Sequence, residues 1–358
     1  MKKKILFILP TTGQPRYAKR IDSLKKLGFY VEALSFKRKY HQGRMPDCKI
    51  SFLSYIKSEN YFLRFLTLIK DLPKIKKKSD EFDLVYAFGA DMGYLSILSF
   101  LVSSKPVVCE IADIMPIQQK SSFWGILIRF LDKLFLKKVK LLVFTSKHYA
   151  YYFKEYLNFE PHFITLENKI DNISFKPLTK NFDDAITIGY FGLIRCAKSI
   201  EILNNLVKRY PYKFKVLIAG FNDHTVNLEK ISKNIEYIGE YKSPQDLPKI
   251  YGQVDIVWNV HFEFKYTKWA ISNRFYESLY FQKPYIVNEG SLNVISNKDC
   301  GLKISIKDDF NKIIDSISKI HPQDIKRWTN NVKQVDSSVY QYTKKDYTKL
   351  NDEILKLL

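Results

Sequence analysis

The chain has 358 residues, of which 46% are apolar and 27% charged, a balance typical of a globular protein. This length exceeds one ordinary hydrophobic core and predicts two domains of about 150 to 200 residues each. The net charge of +21 is uneven, because residues 1–170 carry 30 basic and 15 acidic side chains and the remainder carries 28 and 22. A basic half favours an anionic partner such as membrane lipid, a polyprenyl phosphate or nucleic acid, although a lysine-rich surface without a partner stays open.

The four cysteines lie far apart, and no pair has the spacing of a zinc or redox motif. We therefore expect reduced thiols and a cytoplasmic protein. The apolar run Ile5–Leu9 follows three lysines but ends at Pro10, too short for the apolar region of a signal peptide. No stretch reaches eighteen uncharged apolar residues, so the sequence predicts no membrane span.

Short apolar runs alternate with amphipathic segments along the first 170 residues, which is typical of a parallel, doubly wound sheet. The predicted strands are Ile5–Leu9, Tyr30–Ser35, Leu84–Phe88, Pro106–Ile111, Leu141–Thr145 and Phe163–Leu166, and the predicted helices include Arg16–Leu27 and Met92–Val102.

A polar segment at residues 171–184 predicts a linker, and the alternating pattern restarts after it. The sequence thus predicts an α/β fold with two Rossmann-like, doubly wound domains, residues 1–170 and 185–322, which face each other across a cleft. Residues 323–358 predict terminal helices that cross back to the first domain. The predicted elements of the second half are Ile186–Phe191, Phe214–Ala219, Ile235–Ile238, Val254–Val260 and Tyr285–Val287 as strands, with Ser199–Arg209, Pro244–Tyr251 and Asn273–Phe281 as helices.

A basic segment, Gly192 to Lys198, follows the first strand of the second domain and precedes a helix. Glycine lets the backbone approach a ligand, and a helix N-terminus offers unpaired N–H groups. Arg195 and Lys198 add one forked and one point-like cation, which suits a diphosphate. The spacing is neither that of a P-loop nor G-x-G-x-x-G, so a solvated basic turn is the alternative interpretation.

Glu277 lies near the start of a predicted helix that precedes a buried strand. A carboxylate in this place accepts hydrogen bonds from both hydroxyls of a ribose. Asn273 and Arg274 come before it at the helix N-terminus, where an anion is stabilised. A capping glutamate on a surface helix is the alternative. Combined with the basic segment, Glu277 indicates a sugar-nucleotide site.

The combination and order of these motifs resemble GT-B glycosyltransferases, in particular the large retaining group with bacterial capsule and lipopolysaccharide enzymes. The resemblance covers nearly the whole chain and is carried by Tyr190–Lys198, Leu217–Gly220, Ile235–Gly239, Tyr251–Ile256, and Asn273–Glu277 with Lys283-Pro284. It implies that Glu277 binds the donor ribose, that Arg195 and Lys198 neutralise the leaving diphosphate, and that Tyr241 faces the base. The full donor-binding set that it implies is Gly192, Arg195, Lys198, Tyr241, Asn273, Arg274, Glu277 and Ser278.

Two positions depart from the family pattern. Many members have a first glutamate, eight residues before the second, that touches the donor sugar, and here that position is Trp269. On the acceptor side, Gly13 and Gln14 follow the first strand and Asp113 follows the fourth, with Ala112 in place of a frequent histidine. Asp113 is the candidate for binding or deprotonating the acceptor hydroxyl, and a helix cap is its alternative role.

The resemblance implies transfer of a sugar from a nucleotide-diphosphate donor, with UDP expected, to a polyprenyl-diphosphate-linked or oligosaccharide acceptor in bacterial surface polysaccharide synthesis. It also implies retention of anomeric configuration without a metal or other cofactor, and the chain has no D-x-D motif at a strand end. A sugar-nucleotide epimerase and a non-catalytic GT-B subunit remain alternatives. Nucleic-acid binding is not expected, since no such motif is present and the basic residues are interleaved with apolar ones.

Two segments of the basic half, Tyr61–Lys78 and Phe123–Leu142, combine aromatic and aliphatic residues with arginines and lysines. Basic amphipathic helices with aromatic residues lie in membrane interfaces. We therefore expect peripheral contact with the inner face of the cell membrane, and core-facing helices with a solvated basic side are the alternative.

Overall fold

The computed structural model describes residues 2–38, 45–56, 61–99, 105–171, 185–222, 226–228, 231–262 and 268–358. The chain divides into two compact units, Met1–Glu167 together with Thr343–Leu358, and Asn168–Tyr342. Each unit contains one parallel sheet, which confirms the predicted α/β class. Apart from Asp171, the predicted linker lies outside the described residues.

The N-terminal unit has a seven-stranded parallel sheet in the order β3-β2-β1-β4-β5-β6-β7. Its central strands are buried along their length, as expected for a parallel sheet covered on both faces. The strands are β1 (Lys4–Leu9), β2 (Tyr30–Lys37), β3 (Lys49–Tyr55), β4 (Leu84–Phe88), β5 (Val107–Ile111), β6 (Leu141–Phe144) and β7 (Phe163–Thr165). The helices are α1 (Pro15–Lys26), α2 (Tyr61–Lys70), α3 (Leu72–Ser79), α4 (Ala90–Ser99), α5 (Phe123–Leu136) and α6 (Ala150–Leu157).

The C-terminal unit has a six-stranded parallel sheet in the order β10-β9-β8-β11-β12-β13, with apolar clusters on both faces. The strands are β8 (Ile186–Phe191), β9 (Phe214–Ala219), β10 (Ile235–Tyr237), β11 (Ile256–Asn259), β12 (Tyr285–Asn288) and β13 (Gly301–Ile304). The helices are α7 (Ala197–Arg209), α8 (Leu247–Gly252), α9 (Asn273–Tyr280), α10 (Phe310–Ser318) and α11 (Pro322–Lys333).

The last helix, α12 (Lys344–Leu357), belongs to the N-terminal unit. Its buried residues Leu350 and Ile354 join the same apolar cluster as Ile5 and Phe7 of β1. The end of the chain is held there as well, because Lys3 Nζ donates to the carbonyl oxygen of Leu358 over 2.9 Å.

The sequence did not predict β3, β13 or α10. Both strands lie at an edge of their sheet, with one neighbour each, and both mix exposed with buried positions, so they lack the continuous apolar run of a central strand. Two predicted starts were also early: the predicted strand Val254–Val260 begins at Ile256, and the predicted helix Pro244–Tyr251 begins at Leu247. Among the described residues, no helix has both the length and the apolar character that crossing a bilayer requires.

Candidate functional site

The predicted phosphate loop follows β8 and is open at its glycine. Gly192 has a φ of +98°, and a Cβ placed on it meets no atom within 4 Å. A ligand can therefore approach the backbone at this glycine. Gly220, which follows the neighbouring β9, has a φ of +140°, and its Cβ would lie 1.7 Å from the Gly192 carbonyl oxygen. The close approach of these two strand ends therefore requires glycine at position 220.

Arg195 and Lys198 are both exposed at the junction between this loop and α7. The loop is anchored just before Arg195, because the Ile194 N–H donates to the Phe221 carbonyl over 2.9 Å. Helix α7 begins at Ala197, so its first N–H groups lie between the two cations in sequence. Backbone donors and exposed cations at one strand end can bind an anion.

Glu277 lies on α9, and the turn that starts this helix is fixed by its cap. The Ser272 hydroxyl accepts from the Phe275 N–H over 3.3 Å. Glu277 is only 9% exposed, and its Oε2 accepts a hydrogen bond from the hydroxyl of Tyr251 over 2.7 Å. Burial, with the Glu277 charge as a further cause, raises the pKa of Tyr251 well above its ordinary value, so this tyrosine stays a donor. Glu277 is therefore an oriented, buried carboxylate, not a cap on a surface helix.

Tyr241 lies in the loop after β10, close enough to Glu277 for the carboxylate charge to disfavour the phenolate form of Tyr241. Burial raises the pKa of Tyr241, and the Glu277 carboxylate raises it further. The two tyrosines thus place phenol groups beside one carboxylate, with Tyr241 half-buried.

Arg274 is held by contacts that the sequence did not reveal. Its guanidinium lies 5.2 Å from the ring centroid of Tyr190 and donates to the Trp258 carbonyl over 3.2 Å. Its Nη2 lies 3.5 Å from Nε2 of His261. Burial and the charges of Arg274 and Arg195 lower the pKa of His261 to about 3, so the imidazole is neutral at physiological pH. The signal for His261 was its place two residues after the buried strand β11, at the end of the sheet where ligands bind.

Of the other predicted donor residues, Asn273 is exposed at the first position of α9. Ser278 is fully buried, and its hydroxyl donates to the Arg274 carbonyl over 2.5 Å. The Ser278 hydroxyl is therefore bonded within α9. Trp269, which takes the place of the family's first glutamate, is 6% exposed, and Lys268 Nζ lies 4.6 Å from its ring centroid.

An amide network fixes the chain just before α9. The Ser272 N–H donates to Oδ1 of Asn293, and the Ser272 hydroxyl donates to Oδ1 of Asn259, over 2.7 and 2.8 Å. Oδ1 of Asn288 accepts from the His261 N–H over 3.3 Å. The side-chain nitrogens of Asn259 and Asn288 are buried without a hydrogen-bond partner. Both ends of the segment that holds Trp269 are thus fixed to neighbouring strand ends.

In the N-terminal unit, one buried polar network surrounds Glu110 on β5. Its carboxylate pairs with Arg20 Nε over 2.9 Å and lies 3.4 Å from Arg16 Nε. Tyr86 donates its hydroxyl proton to the same carboxylate over 2.7 Å. Glu110 has no exposed surface and Arg20 is 2% exposed, so this ion pair is closed to solvent, whereas Arg16 is partly exposed.

Of the predicted acceptor residues, Gln14 contacts this network through Arg16, and Asp113 follows the strand that carries Glu110. Gln14 is the N-cap residue of α1, and its Oε1 accepts from Arg16 Nη2 over 3.3 Å, while Gly13 beside it is buried. Asp113 is exposed in the loop after β5, and the next helix, a 3₁₀ turn, begins only at Pro116, so Asp113 is not its cap. The loop is anchored at Ala112, whose carbonyl accepts from Thr145 and Tyr149 over 3.1 and 3.0 Å.

The structure therefore brings together Tyr241, Arg274 and Glu277. Arg195 and Arg274 both lie close enough to His261 to lower its pKa. Gln14 and Asp113 belong to the other unit, where Gln14 contacts Arg16 and Asp113 follows the strand that carries Glu110. The roles of all these residues remain predictions.

Solved structures show that the chain has the GT-B fold, as the sequence predicted. The particular structures that it resembles include sucrose-phosphate synthase from Thermosynechococcus elongatus, with a TM-score of 0.78, 14% identity and 99% of both chains covered. HepE of Anabaena, in complex with UDP-glucose, has a TM-score of 0.70 with 14% identity over 99% of both chains. WaaG, a glycosyltransferase involved in lipopolysaccharide biosynthesis, has a TM-score of 0.68 with 14% identity, covering 97% of this chain and 98% of its own.

Among curated proteins, the chain is similar to the succinoglycan biosynthesis protein ExoL of Rhizobium meliloti (strain 1021). The two are 24% identical over 231 residues, which is 59% of this chain and 56% of ExoL. The similarity thus spans little more than half the length of that relative. No protein-family model matches the chain.

Proposed function

We propose that this protein is a glycosyltransferase that takes its sugar from a nucleoside-diphosphate donor, with UDP as the nucleotide. The observation that carries the proposal is the C-terminal unit's combination of an open glycine loop, exposed cations at a helix N-terminus and an oriented buried carboxylate. Support comes from the fold neighbour HepE, which binds UDP and UDP-glucose, and from WaaG and ExoL, which act in lipopolysaccharide and succinoglycan biosynthesis.

In the proposed donor complex, the carboxylate of Glu277 accepts hydrogen bonds from the ribose hydroxyls. Tyr251 orients that carboxylate and Tyr241 packs beside the base. Arg195, Lys198 and the first N–H groups of α7 bind the diphosphate, and they stabilise the charge that develops as the nucleotide leaves. Asn273 and Arg274, at the start of α9, line the same site.

The finer chemistry belongs to the same proposal. We expect transfer with retention of configuration and without a metal, since arginine, lysine and a helix N-terminus supply the positive charge for the leaving group. Asp113 binds or deprotonates the acceptor hydroxyl, with Gly13 and Gln14 on the same side. The acceptor is a polyprenyl-diphosphate-linked or free oligosaccharide of surface polysaccharide synthesis, capsule or lipopolysaccharide included. Proton NMR of the product tests retention, because it distinguishes the two anomers.

We further propose that the protein works in the cytoplasm, at the inner face of the cell membrane. Both segments expected to contact the membrane form helices with exposed apolar side chains: Leu66 and Ile69 on α2 and a longer row on α5.

Cys196 offers a direct test of donor binding, because it is the N-cap residue of α7, between the two proposed diphosphate ligands. It is half-buried, whereas Cys109 and Cys300 are buried and burial raises the pKa of the Cys48 thiol to about 11. Iodoacetamide near neutral pH is expected to modify Cys196 first. Saturating UDP should slow this modification at least tenfold, measured by peptide mass spectrometry, while CMP should not. Equal rates with and without UDP would contradict the proposed site.

Two alternatives remain to be separated from transfer. A putative UDP-N-acetylglucosamine 2-epimerase from Listeria monocytogenes shares the fold, with a TM-score of 0.63 and 10% identity. An epimerase converts its sugar nucleotide without acceptor and releases no UDP in doing so, whereas a transferase releases UDP only as acceptor is glycosylated. A non-catalytic subunit would keep its partner's activity after Glu277→Ala, while an enzyme would lose its own.

A further inference from the structure

His261 lies at a strand end next to the proposed phosphate loop. Strand β11 pairs in parallel with β8, and their register sets Val257 opposite Gly189. The same register, continued past both strand ends, brings residue 261 level with the loop Gly192 to Lys198. The charge of Arg195 in that loop reaches His261, because it contributes to lowering the pKa of the imidazole. His261 thus belongs to the same ligand-binding edge of the sheet as the proposed diphosphate ligands.

The main chain at His261 is held in place, while its side chain stays within reach of a ligand. The His261 N–H donates to Oδ1 of Asn288 over 3.3 Å. Asn288 is the last residue of β12 and only 1% exposed, so it is a rigid support. His261 itself is half-buried, so the core does not enclose its side chain completely.

Arg274 determines which nitrogen of the imidazole carries the proton. Its Nη2 lies 3.5 Å from Nε2 of His261. A guanidinium has only donors, so Nε2 is the acceptor of this contact, and a neutral ring then has its proton on Nδ1. The ring is neutral near pH 7, because burial and the charges of Arg274 and Arg195 lower its pKa to about 3. Within the part of the chain that the structure describes, Nδ1 contacts no hydrogen-bond partner.

Arg274 is itself fixed against the elements that carry the phosphate loop. Its guanidinium lies 5.2 Å from the ring centroid of Tyr190 on β8 and donates to the Trp258 carbonyl over 3.2 Å. The Tyr190 side chain is in turn close to the start of α7. Burial raises the pKa of Tyr190, and the charge of Arg274 and the N–H of Cys196 oppose this rise. The guanidinium that contacts His261 therefore has a defined position beside the N-terminus of α7.

We infer that His261 is a further donor-binding residue, which donates a hydrogen bond from Nδ1 to a phosphate oxygen of the nucleoside diphosphate. In this assignment Arg274 is a positioning residue, because it fixes the tautomer that presents the Nδ1 proton. The inference deepens the proposed function and rests on it. A hydrogen bond to a charged oxygen is stronger than one between neutral groups. It strengthens further as the nucleotide leaves, because the phosphate oxygen then gains negative charge.

A phosphate suits this position better than a hydroxyl of the transferred sugar. Both groups accept hydrogen bonds, but only the phosphate is also stabilised by the two guanidinium groups whose charges reach His261. The first N–H groups of α7 favour an anion at the adjoining loop for the same reason. If a sugar hydroxyl were the acceptor instead, a UDP-sugar would depend on His261 more strongly than UDP does.

Two substitutions at position 261 separate the roles of the two ring nitrogens. Asparagine places an amide N–H where Nδ1 lies in histidine, but it is too short to reach Arg274. Glutamine places its amide where Nε2 lies, so it can accept from Arg274 and leaves Nδ1 without a replacement. We therefore expect His261→Gln to bind UDP about 10- to 30-fold more weakly than the wild type, and His261→Asn to stay within about threefold of it. Isothermal titration calorimetry measures both affinities.

The reverse order would overturn the inference. If His261 served only to support Arg274, His261→Asn would weaken UDP binding and His261→Gln would not. Uridine, which has no phosphate, should bind the wild type and both variants equally in ligand-observed NMR, and unequal binding would contradict a contact with phosphate. A loss of UDP-glucose affinity that clearly exceeds the loss of UDP affinity would assign Nδ1 to the sugar.

Nitrogen NMR of the histidine side chains gives a readout that is independent of affinity. The chain has six histidines, and His261→Gln identifies the signal of position 261 by its absence. In the free protein we expect a protonated Nδ1 and an unprotonated Nε2, and UDP should shift the Nδ1 resonance without changing the tautomer. A proton on Nε2, or an Nδ1 resonance that does not respond to UDP, would contradict the assignment.

Protection of Cys196 from iodoacetamide keeps this inference apart from the proposed function. If UDP protects the wild type, the donor site is present, and the order of the two variants decides only the role of His261. If the wild type neither binds UDP nor is protected by it, the donor site and the His261 contact both fail. The unfolding midpoints of both variants near neutral pH should stay close to that of the wild type, which shows that weaker binding is not a loss of folding.

Discussion

Glu110 in the N-terminal unit and Glu277 in the C-terminal unit are buried glutamates that each accept a hydrogen bond from a tyrosine. Tyr86 donates to Glu110 and Tyr251 donates to Glu277, both over 2.7 Å. In the N-terminal unit, the ion pair with Arg20 completes the network, and Glu110 has no exposed surface. Glu277 keeps 9% exposure, and the nearby Arg274 is directed to the ring of Tyr190 and a backbone carbonyl.

We interpret Glu110 as a structural carboxylate and propose Glu277 as a ligand-binding one. The charge of Glu110 is neutralised inside the protein, so its hydrogen bonds serve to fix β5 to α1. The Glu277 carboxylate is oriented by a tyrosine that contributes no positive charge, next to strand ends where a GT-B fold binds its ligand. Substitutions at the two positions should therefore have opposite profiles, with stability lost at one and ligand binding at the other.

The largest effect is expected for Glu110→Gln. Removing this charge leaves Arg20 buried without its counter-ion, which destabilises a protein by about 3–5 kcal/mol. Guanidinium unfolding should show this loss as a lower midpoint with an unchanged slope. Asp113→Asn is the matched control, since Asp113 is exposed, and it should change the unfolding free energy by less than about 0.5 kcal/mol. If Glu110→Gln unfolded at the wild-type midpoint, the Glu110 network would not be the structural network that we infer.

Glu277→Gln should show the opposite profile. The variant keeps the shape of the side chain but loses charge-assisted hydrogen bonds to ribose, so UDP affinity should fall by about 2–3 kcal/mol, or roughly 30- to 150-fold. Isothermal titration calorimetry measures the change. Glu201→Gln, on the exposed side of α7, is the control and should bind UDP like the wild type. If Glu277→Gln bound UDP normally and instead lowered the unfolding midpoint, the ribose assignment would be wrong.

How far the sequence predicts this molecule depends on whether a feature is local. Strands Leu84–Phe88, Ile186–Phe191 and Phe214–Ala219 were predicted with the bounds that the structure has, because strands buried on both faces are continuous apolar runs. The edge strands β3 and β13 lack that signal.

In the candidate site, too, the sequence predicts local features and misses those that depend on contacts between distant residues. Glu277 and Arg195 belong to motifs that lie within a few consecutive residues, so the sequence could single them out. The contact of Tyr251 with Glu277 joins positions 26 residues apart, and that of Tyr86 with Glu110 joins positions 24 apart, so both depend on how strands and helices pack. The sequence therefore singled out Glu277 as a candidate but could not distinguish its surroundings from those of Glu110.

A smaller effect is expected for Arg195→Lys. This variant tests whether the exposed cation binds the diphosphate of UDP in the proposed donor site. The variant keeps the charge but loses the forked geometry that suits a diphosphate, so UDP should bind about 5- to 30-fold more weakly, or about 1–2 kcal/mol. The unfolding midpoint should not change, because Arg195 is exposed. Arg327→Lys, an exposed position on α11, is the control for titration of UDP. An unchanged affinity for Arg195→Lys would remove this residue from the diphosphate site.

The smallest effect concerns pH. It is expected at His261, whose Nε2 lies 3.5 Å from Nη2 of Arg274 in the proposed donor site. Its pKa is lowered to about 3 by burial and by Arg274 and Arg195, against about 6.5 in an unfolded chain. The unfolded chain therefore takes up a proton first, and stability is lost as pH falls from 6.5 toward 3. His261→Gln should reduce the stability lost between pH 6.5 and pH 5.5 by about 1 kcal/mol, measured by guanidinium unfolding at both pH values. Identical pH dependence in wild type and His261→Gln would show that the imidazole is protonated beside Arg274, and the binding region would then carry one more positive charge.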